Sequence, residues 1–167
     1  NIKVIEVGDV FIHKNINRVS FYPNGRPNFP RNFIYSVIEK DGKDFLILNI
    51  HGFWEPAPKY DTPQRFNQSQ LILDFVKKQN LPTIIAGDFN LRIDTKALKM
   101  FEKNGFRNLV KESKALTTRS TLYNIKWREF DKYADYILTS KGIWVTDFKV
   151  MRAKVSDHLP LYLEFEV

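Results

Sequence analysis

No cysteine occurs among the 167 residues. This excludes disulfides, thiolate metal sites and a cysteine nucleophile. It leaves the compartment open, because secreted chains can also lack cysteine. No apolar run approaches the roughly 20 residues of a membrane span. No signal peptide is visible, but the chain opens at Asn1 rather than Met, so that absence carries little weight. A cytoplasmic location is expected, with secretion left open. No internal repeat, low-complexity tract or linker interrupts the chain, and residues 1–167 are expected to form a single domain with a real core. Acidic residues are the minority charge. Nineteen Asp and Glu stand against 26 Lys and Arg, giving a net charge of +7 and a pI near 9.5. That balance suits a polyanionic partner such as nucleic acid, a phosphorylated substrate or an anionic membrane surface, although a basic surface alone identifies none.

Aromatics are plentiful, with 14 Phe, 7 Tyr and 3 Trp. Ile2 to Val7 and Val10 to Ile12 read as β-rich patches, and Tyr22 to Pro27 as an exposed turn. Phe33 to Glu39 and Asp44 to Ile50 flank Asp41-Gly42, a hairpin signal. Gly52 to Pro63 is a loop carrying Phe53, Trp54 and Tyr60. A helix follows, with Thr62 as cap, Pro63 in its first position and an apolar stripe of Leu71, Ile72, Phe75 and Val76. Thr83 to Ala86 is a buried strand. A second helix is predicted from Asp94, with Leu98 and Phe101 inward and a stop at Gly105. Thr117 to Trp127 is polar, and Ala134 to Thr139, Ile143 to Met151 and Pro160 to Val167 are closing strands. Strands mixed with two helices, without regular βαβ alternation, predict a layered α+β fold with mixed sheets.

Polar motifs stand at the ends of the apolar runs: Asn49-Ile50-His51, Gly87-Asp88-Phe89-Asn90, Ala134-Asp135-Tyr136 and Ser156-Asp157-His158. A sheet stops at such points and a pocket can open. Together these ends could bring three Asp, Asn90 and two His to one place, enough to hold a hard divalent cation and activate a water. Asp88 and Asn90 alone read equally well as a turn held by Asx hydrogen bonds. Asp157 and His158, as neighbours at a strand end, diverge and would serve different partners. Asp135 opens a buried strand and needs a partner, for which His158 is the candidate; an exposed strand-start Asp is the alternative. His51 alone reads as an ordinary hairpin-end histidine, and so does His13. Trp54, Tyr60 and Trp127 can stack on bases or merely pack their loops.

With these motifs in this order, the chain resembles the endonuclease/exonuclease/phosphatase superfamily, from about Ile34 to the C-terminus. The helix bearing Arg65 and Gln68, the Gly-Asp-Phe-Asn strand end, Ala-Asp-Tyr-Ile-Leu and Ser-Asp-His-Leu-Pro carry the resemblance. It implies a four-layer α/β/β/α sandwich of two packed mixed sheets, with a site at the sheet tops. It also implies Mg²⁺- or Mn²⁺-dependent hydrolysis of a phosphate ester. By motif position, Asp157 and Asp88 would be metal-side carboxylates. His158, held by Asp135, would be the acid/base, and Asp88 would position the water. Asn90 and His51 would hold the water or a phosphate oxygen. Trp54 and Arg119 join Asn90 and His51 as expected substrate-binding residues. Nucleic acid is the leading substrate; an inositol phosphate, a sphingomyelin-type lipid headgroup or a non-catalytic binding role are the alternatives.

Two departures accompany the resemblance. The family opens with an Asn-bearing strand and a strand ending in a metal-binding Glu, and the 48 residues before Asn49 are too few for both. Glu6 lacks the family's Gln-Glu context. The chain is therefore expected to hold the C-terminal two-thirds of the fold, with activity in isolation in question. His51 stands where the apurinic-site endonucleases carry Tyr, which argues mildly against abasic-site repair.

Overall fold

The computed structural model describes residues 2–14, 20–124, 126 and 130–167. Its frame is a six-stranded mixed sheet in the order β1-β4-β5-β6-β8-β7. These strands are β1 (Ile2–His13), β4 (Arg31–Lys40), β5 (Lys43–His51), β6 (Thr83–Asp88), β7 (Arg107–Asn108) and β8 (Asp135–Thr139). A short ribbon of β2 (Ser20–Phe21) and β3 (Pro27–Asn28) lies outside it. The two apolar patches of the N-terminal segment form one continuous strand, β1, with register shifts at Val4/Glu6 and Phe11/His13. Each shift is a point where the sequence pattern breaks phase without ending the ladder.

Asp41 and Gly42 turn the β4–β5 hairpin, both at positive φ (53° and 79°), between the paired Lys40 and Lys43. That two-residue turn matches the strand twist and fixes the register of both strands. β5 and β6 run parallel, joined by α1 (Pro63–Gln79), whereas β8 returns antiparallel to β6. Thr62 caps α1 through its side chain, Pro63 occupies the first turn, and Asn80 ends it in the left-handed region. The buried face of α1 differs from the expected stripe. Ile72, Leu73 and Val76 are buried, whereas Leu71 is exposed, and the same face continues through Arg65, Gln68 and Ser69. Half of the inward face is polar, so apolar periodicity alone misplaces its centre.

The second helix, α2 (Lys96–Lys103), starts two residues later than predicted, because the Thr95 hydroxyl rather than Asp94 caps it. The short β7 and α3 (Leu109–Glu112) follow it; neither gives a signal in the sequence. Alternation along the strands builds two cores. Leu46, Leu48, Ile50, Ile85, Tyr136 and Leu138 face Ile72, Leu73, Val76, Leu98 and Phe101 of the helices. Phe45, Ile84 and Ile137 face the other way, against Val145, Leu163 and Phe165 of the pair β9 (Trp144–Val150) and β10 (Leu161–Glu166). Phe89 packs edge-on against Phe101 and Tyr136, with centroids 5.7 and 5.6 Å away. The fold is thus α+β, with helices α1 and α2 on one face of a mixed sheet and a second sheet on the other. Among the described residues the second sheet has two strands, and three layers are seen: helices, large sheet and second sheet.

Candidate active site

Pairing register places the site. His51 is opposite Asp88 across β5 and β6, and Asp88 is opposite Asp135 across β6 and β8. Arg31 opens β4 at the same end of the sheet, since β4 runs antiparallel to β5. Four adjacent strands therefore deliver four polar ends to one edge.

Those ends are laced together behind the site. The buried Gln68 of α1 accepts a hydrogen bond from the Phe53 amide at 2.5 Å and donates to the Phe89 carbonyl at 3.1 Å. The Asn90 amide donates to the Gly52 carbonyl at 3.1 Å, and the Gly52 N–H donates to the Asp88 carbonyl at 2.6 Å. Asn90 itself is buried, at φ 51°, and its N–H donates to Asp88 Oδ1 at 2.7 Å. One face of the Asp88 carboxylate is thereby fixed by the backbone.

His158 is brought in from the loop before β10. Arg119 and His158 form an isolated antiparallel bridge, and the Ser120 N–H donates to the Asp157 carbonyl at 3.0 Å. The His158 ring sits 2.8 and 2.9 Å from the two oxygens of Asp135 through Nδ1. A carboxylate only accepts, so Nδ1 carries a proton, and Nε2 offers its lone pair. Arg119 Nη1 donates to that Nε2. The same Nε2 lies 4.0 Å from Asp88 and 3.9 Å from Asp157. His51 is held neutral near pH 7: burial lowers its pKa first, and the neighbouring Arg31 cation lowers it further.

The edge opens into a cleft of about 570 Å³. Arg26, Arg31, His51, Trp54, Lys59, Asp88, Asn90, Arg119, Tyr123, Asp131, Asp157 and His158 are among its lining residues. Trp54 stands at the rim with Arg26 5.9 Å from its ring, and Tyr22 holds its carbonyl by a 2.7 Å hydrogen bond. Arg119 lies 4.3 Å over the Tyr123 ring. Every residue singled out for the site in the sequence, namely His51, Trp54, Asp88, Asn90, Arg119, Asp135, Asp157 and His158, falls at this edge or in this cleft. Two further candidates, Tyr60 and Glu6, do not. Tyr60 packs instead under Arg92, 4.9 Å from its ring. Glu6 accepts a hydrogen bond from Tyr35 on the surface of β1. Trp127 lies outside the described residues. His13 Nε2 donates to Asn28 Oδ1 at 2.9 Å and meets the edge of Phe53, away from the cleft lining.

Sequence reasoning missed Arg26, Arg31, Lys59 and Asp131. Arg31 was within reach, because counting back from the Asp41-Gly42 turn places it at the level of the end of β5. Lys59 and Asp131 sit in aperiodic segments and leave no such trace.

The donor chemistry fits a hard divalent cation. Asp88, Asp135 and His158 offer ligand atoms within 4.8 Å of one another. Both Asp135 oxygens are already bonded to the imidazole, so Asp88 and Asp157 are the carboxylates with oxygens to spare. An oxygen set of this kind suits Mg²⁺ or Mn²⁺.

The loop that carries Trp54 and Lys59 hangs on Arg65. This guanidinium is fully buried and donates from Nη1 to the Pro58 carbonyl at 3.0 Å and the Tyr60 carbonyl at 2.7 Å, and lies 3.3 Å from Glu55. Arg65→Met strands both carbonyls and the Glu55 carboxylate, and should cost about 3 kcal/mol, read as a lower denaturation midpoint.

A family model for the endonuclease/exonuclease/phosphatase family matches residues 6–158, starting well before the Ile34 expected from motifs alone. A phospholipase C of Staphylococcus aureus is 35% identical over 81 residues, covering 44% of this chain and 24% of that protein. The fold is similar to a mannosyl-6-phosphatase of Bacteroides thetaiotaomicron, with TM-score 0.72, 19% identity, and coverage of 99% of this chain and 67% of that one. It is also similar to D. rerio TDP2 in complex with a single-strand DNA product, with TM-score 0.70, 14% identity, and coverage of 99% and 69%.

Proposed function

Starting from the fact that this chain belongs to the endonuclease/exonuclease/phosphatase family, whose members are phosphoesterases, we propose that it serves metal-dependent hydrolysis of a phosphodiester, with nucleic acid as the leading substrate. The observation that carries this is the Asp135–His158 pair facing Asp88 and Asp157 at the base of a cation-lined cleft.

The roles follow from position. Asp135 fixes the His158 tautomer and orientation, and His158 exchanges a proton with the reacting oxygens through Nε2. Asp88, one oxygen held by the Asn90 backbone N–H, orients the attacking water, and the lone pair on Nε2 of His158 takes its proton. Water oxygen bonds to phosphorus, the bond to the leaving oxygen breaks, and the leaving oxygen takes a proton from solvent. Neutral His51 donates a hydrogen bond to a phosphoryl oxygen as charge builds there. Arg119 adds positive charge that attracts the substrate backbone, and Trp54 offers a face to a base or sugar. Asp157 and Asp88 would hold Mg²⁺ or Mn²⁺, which supplies Lewis-acid polarisation of the phosphoryl group.

Plasmid nicking by the intact protein tests this. Cleavage should require Mg²⁺ or Mn²⁺, stop in EDTA and disappear in Asp157→Ala; undiminished cleavage in chelator would overturn the metal role. A second reading, hydrolysis of a phosphomonoester or a lipid headgroup, is favoured by the likeness to the staphylococcal phospholipase C. DNA, RNA, inositol phosphates and sphingomyelin vesicles assayed side by side separate the two. Loss of all four, with retained binding of polyanions, would point to a non-catalytic binding domain.

A further inference from the structure

Beside Arg119 the cleft wall holds a lysine whose amine meets no partner among the described residues. Lys59 is 4% exposed, lines the cleft, and its Nζ is fully shielded without a hydrogen-bond partner among them. A buried ammonium in that state is costly, and proteins rarely leave one so. The side chain is not a loose one that happens to fold inward. Its backbone carbonyl accepts from the Arg92 N–H at 3.3 Å, and Arg65 grips the carbonyls of the residues on either side. The loop is therefore built to keep this amine inside.

Its surroundings deepen the puzzle. Among the charges acting on Lys59, that of Arg119 is the strongest, and it is repulsive. Arg119 also has an unused buried donor, Nε. Asp88, Asp131 and Asp135 lie near enough to be felt, but none bonds the amine. Two neighbouring cations, each with a spare donor, face one cleft. Meanwhile the place for the reacting phosphoryl group is already served by His51, His158 and Asp88.

We propose that Lys59 and Arg119 form the seat of a second anionic group of the substrate, a phosphate flanking the one that is cleaved. This rests on the phosphoesterase reading above. Arg supplies a planar fork and Lys a point charge, a pairing suited to phosphate oxygens. The cleft volume is ample for a nucleotide with two phosphates. Preferred substrates would then carry phosphates on both sides of one sugar, as an oligonucleotide does, rather than a lone diester.

Calorimetric titration of the intact protein with thymidine 3′,5′-bisphosphate and thymidine 5′-monophosphate, in Mg²⁺, tests the seat. Wild type should bind the bisphosphate at least about tenfold more tightly. Lys59→Met should bring the ratio close to one by weakening the bisphosphate alone. Its melting temperature should equal or exceed that of wild type, since the substitution removes a buried unpaired charge. No preference in wild type, or equal weakening of both ligands in the variant, overturns the proposal. If wild type binds neither nucleotide, the nucleic-acid reading falls separately. The seat is then judged with methylenebisphosphonate against inorganic phosphate in metal-free buffer: a preference for the bisphosphonate lost in Lys59→Met upholds it, and one unchanged in the variant or absent from wild type overturns it.

Discussion

His158→Ala in the intact protein should lower kcat/KM for a phosphate diester by about 10³-fold, within the range general acid–base groups supply. Asp135→Asn should lose about as much while leaving the ring in place. The asparagine amide can donate as well as accept, so it no longer dictates which ring nitrogen holds the proton. A ring protonated at Nε2 and bare at Nδ1 presents an N–H, not a lone pair, to the attacking water. The double variant should be little worse than the weaker single, because the two side chains act as one unit joined at 2.8 Å. Additive losses in log kcat/KM would show instead that Asp135 works independently. A metal ligand would do so, and Asp135 belongs to the cluster able to hold an ion. Kinetics of the two singles and the double, at saturating Mg²⁺, decide between these.

Gly87→Ala should unfold the protein at ambient temperature or come close to it. Gly87 has φ 130°, a conformation that side chains avoid. A Cβ there would fall on the Ile50 carbonyl oxygen of the neighbouring strand, with Ile50 N and C at 3.0 and 3.1 Å. The clash is with the backbone of the adjacent parallel strand β5, so no side chain can swing away. A cost of about 4 kcal/mol or more is expected from strain and overpacking together, a large share of the stability of a domain this size. Chemical denaturation of Gly87→Ala beside Gly25→Ala measures it. Gly25 is also at positive φ, but nothing lies within 4 Å of its would-be Cβ. The comparison therefore isolates the steric part.

Much of this site can be read in the residues themselves, for one physical reason. Asp88, Asp135 and His51 stand at strand ends, and strand ends are marked where apolar runs stop. The hairpin turn at Asp41-Gly42 is equally legible, because two positive φ angles in succession demand such residues. The α1 face was harder. Arg65 and Gln68 are buried because loop carbonyls and amides need partners there, and no hydrophobic period reports on that. Lys59 was invisible for the same reason: its burial depends on contacts from residues far along the chain. The helical cap at Thr95 shows a smaller limit. Asp94 and Thr95 are both good caps, and the choice went to Thr95 once Asp94 was drawn off by Arg92 and the Asp61 carboxylate took the N–H groups of Lys96 and Ala97.

The shared rung that aligns His51, Asp88 and Asp135 limits how such a protein can change over generations. Adding or deleting one residue within β5, β6 or β8 would turn the polar end of that strand to the opposite side of the sheet, and the chemistry would be lost at a stroke. The loop that carries Trp54 and Lys59 obeys no such parity. It can lengthen, shorten and exchange side chains while the reacting groups stay put. New substrates should therefore be acquired by rewriting this loop around an unaltered catalytic line.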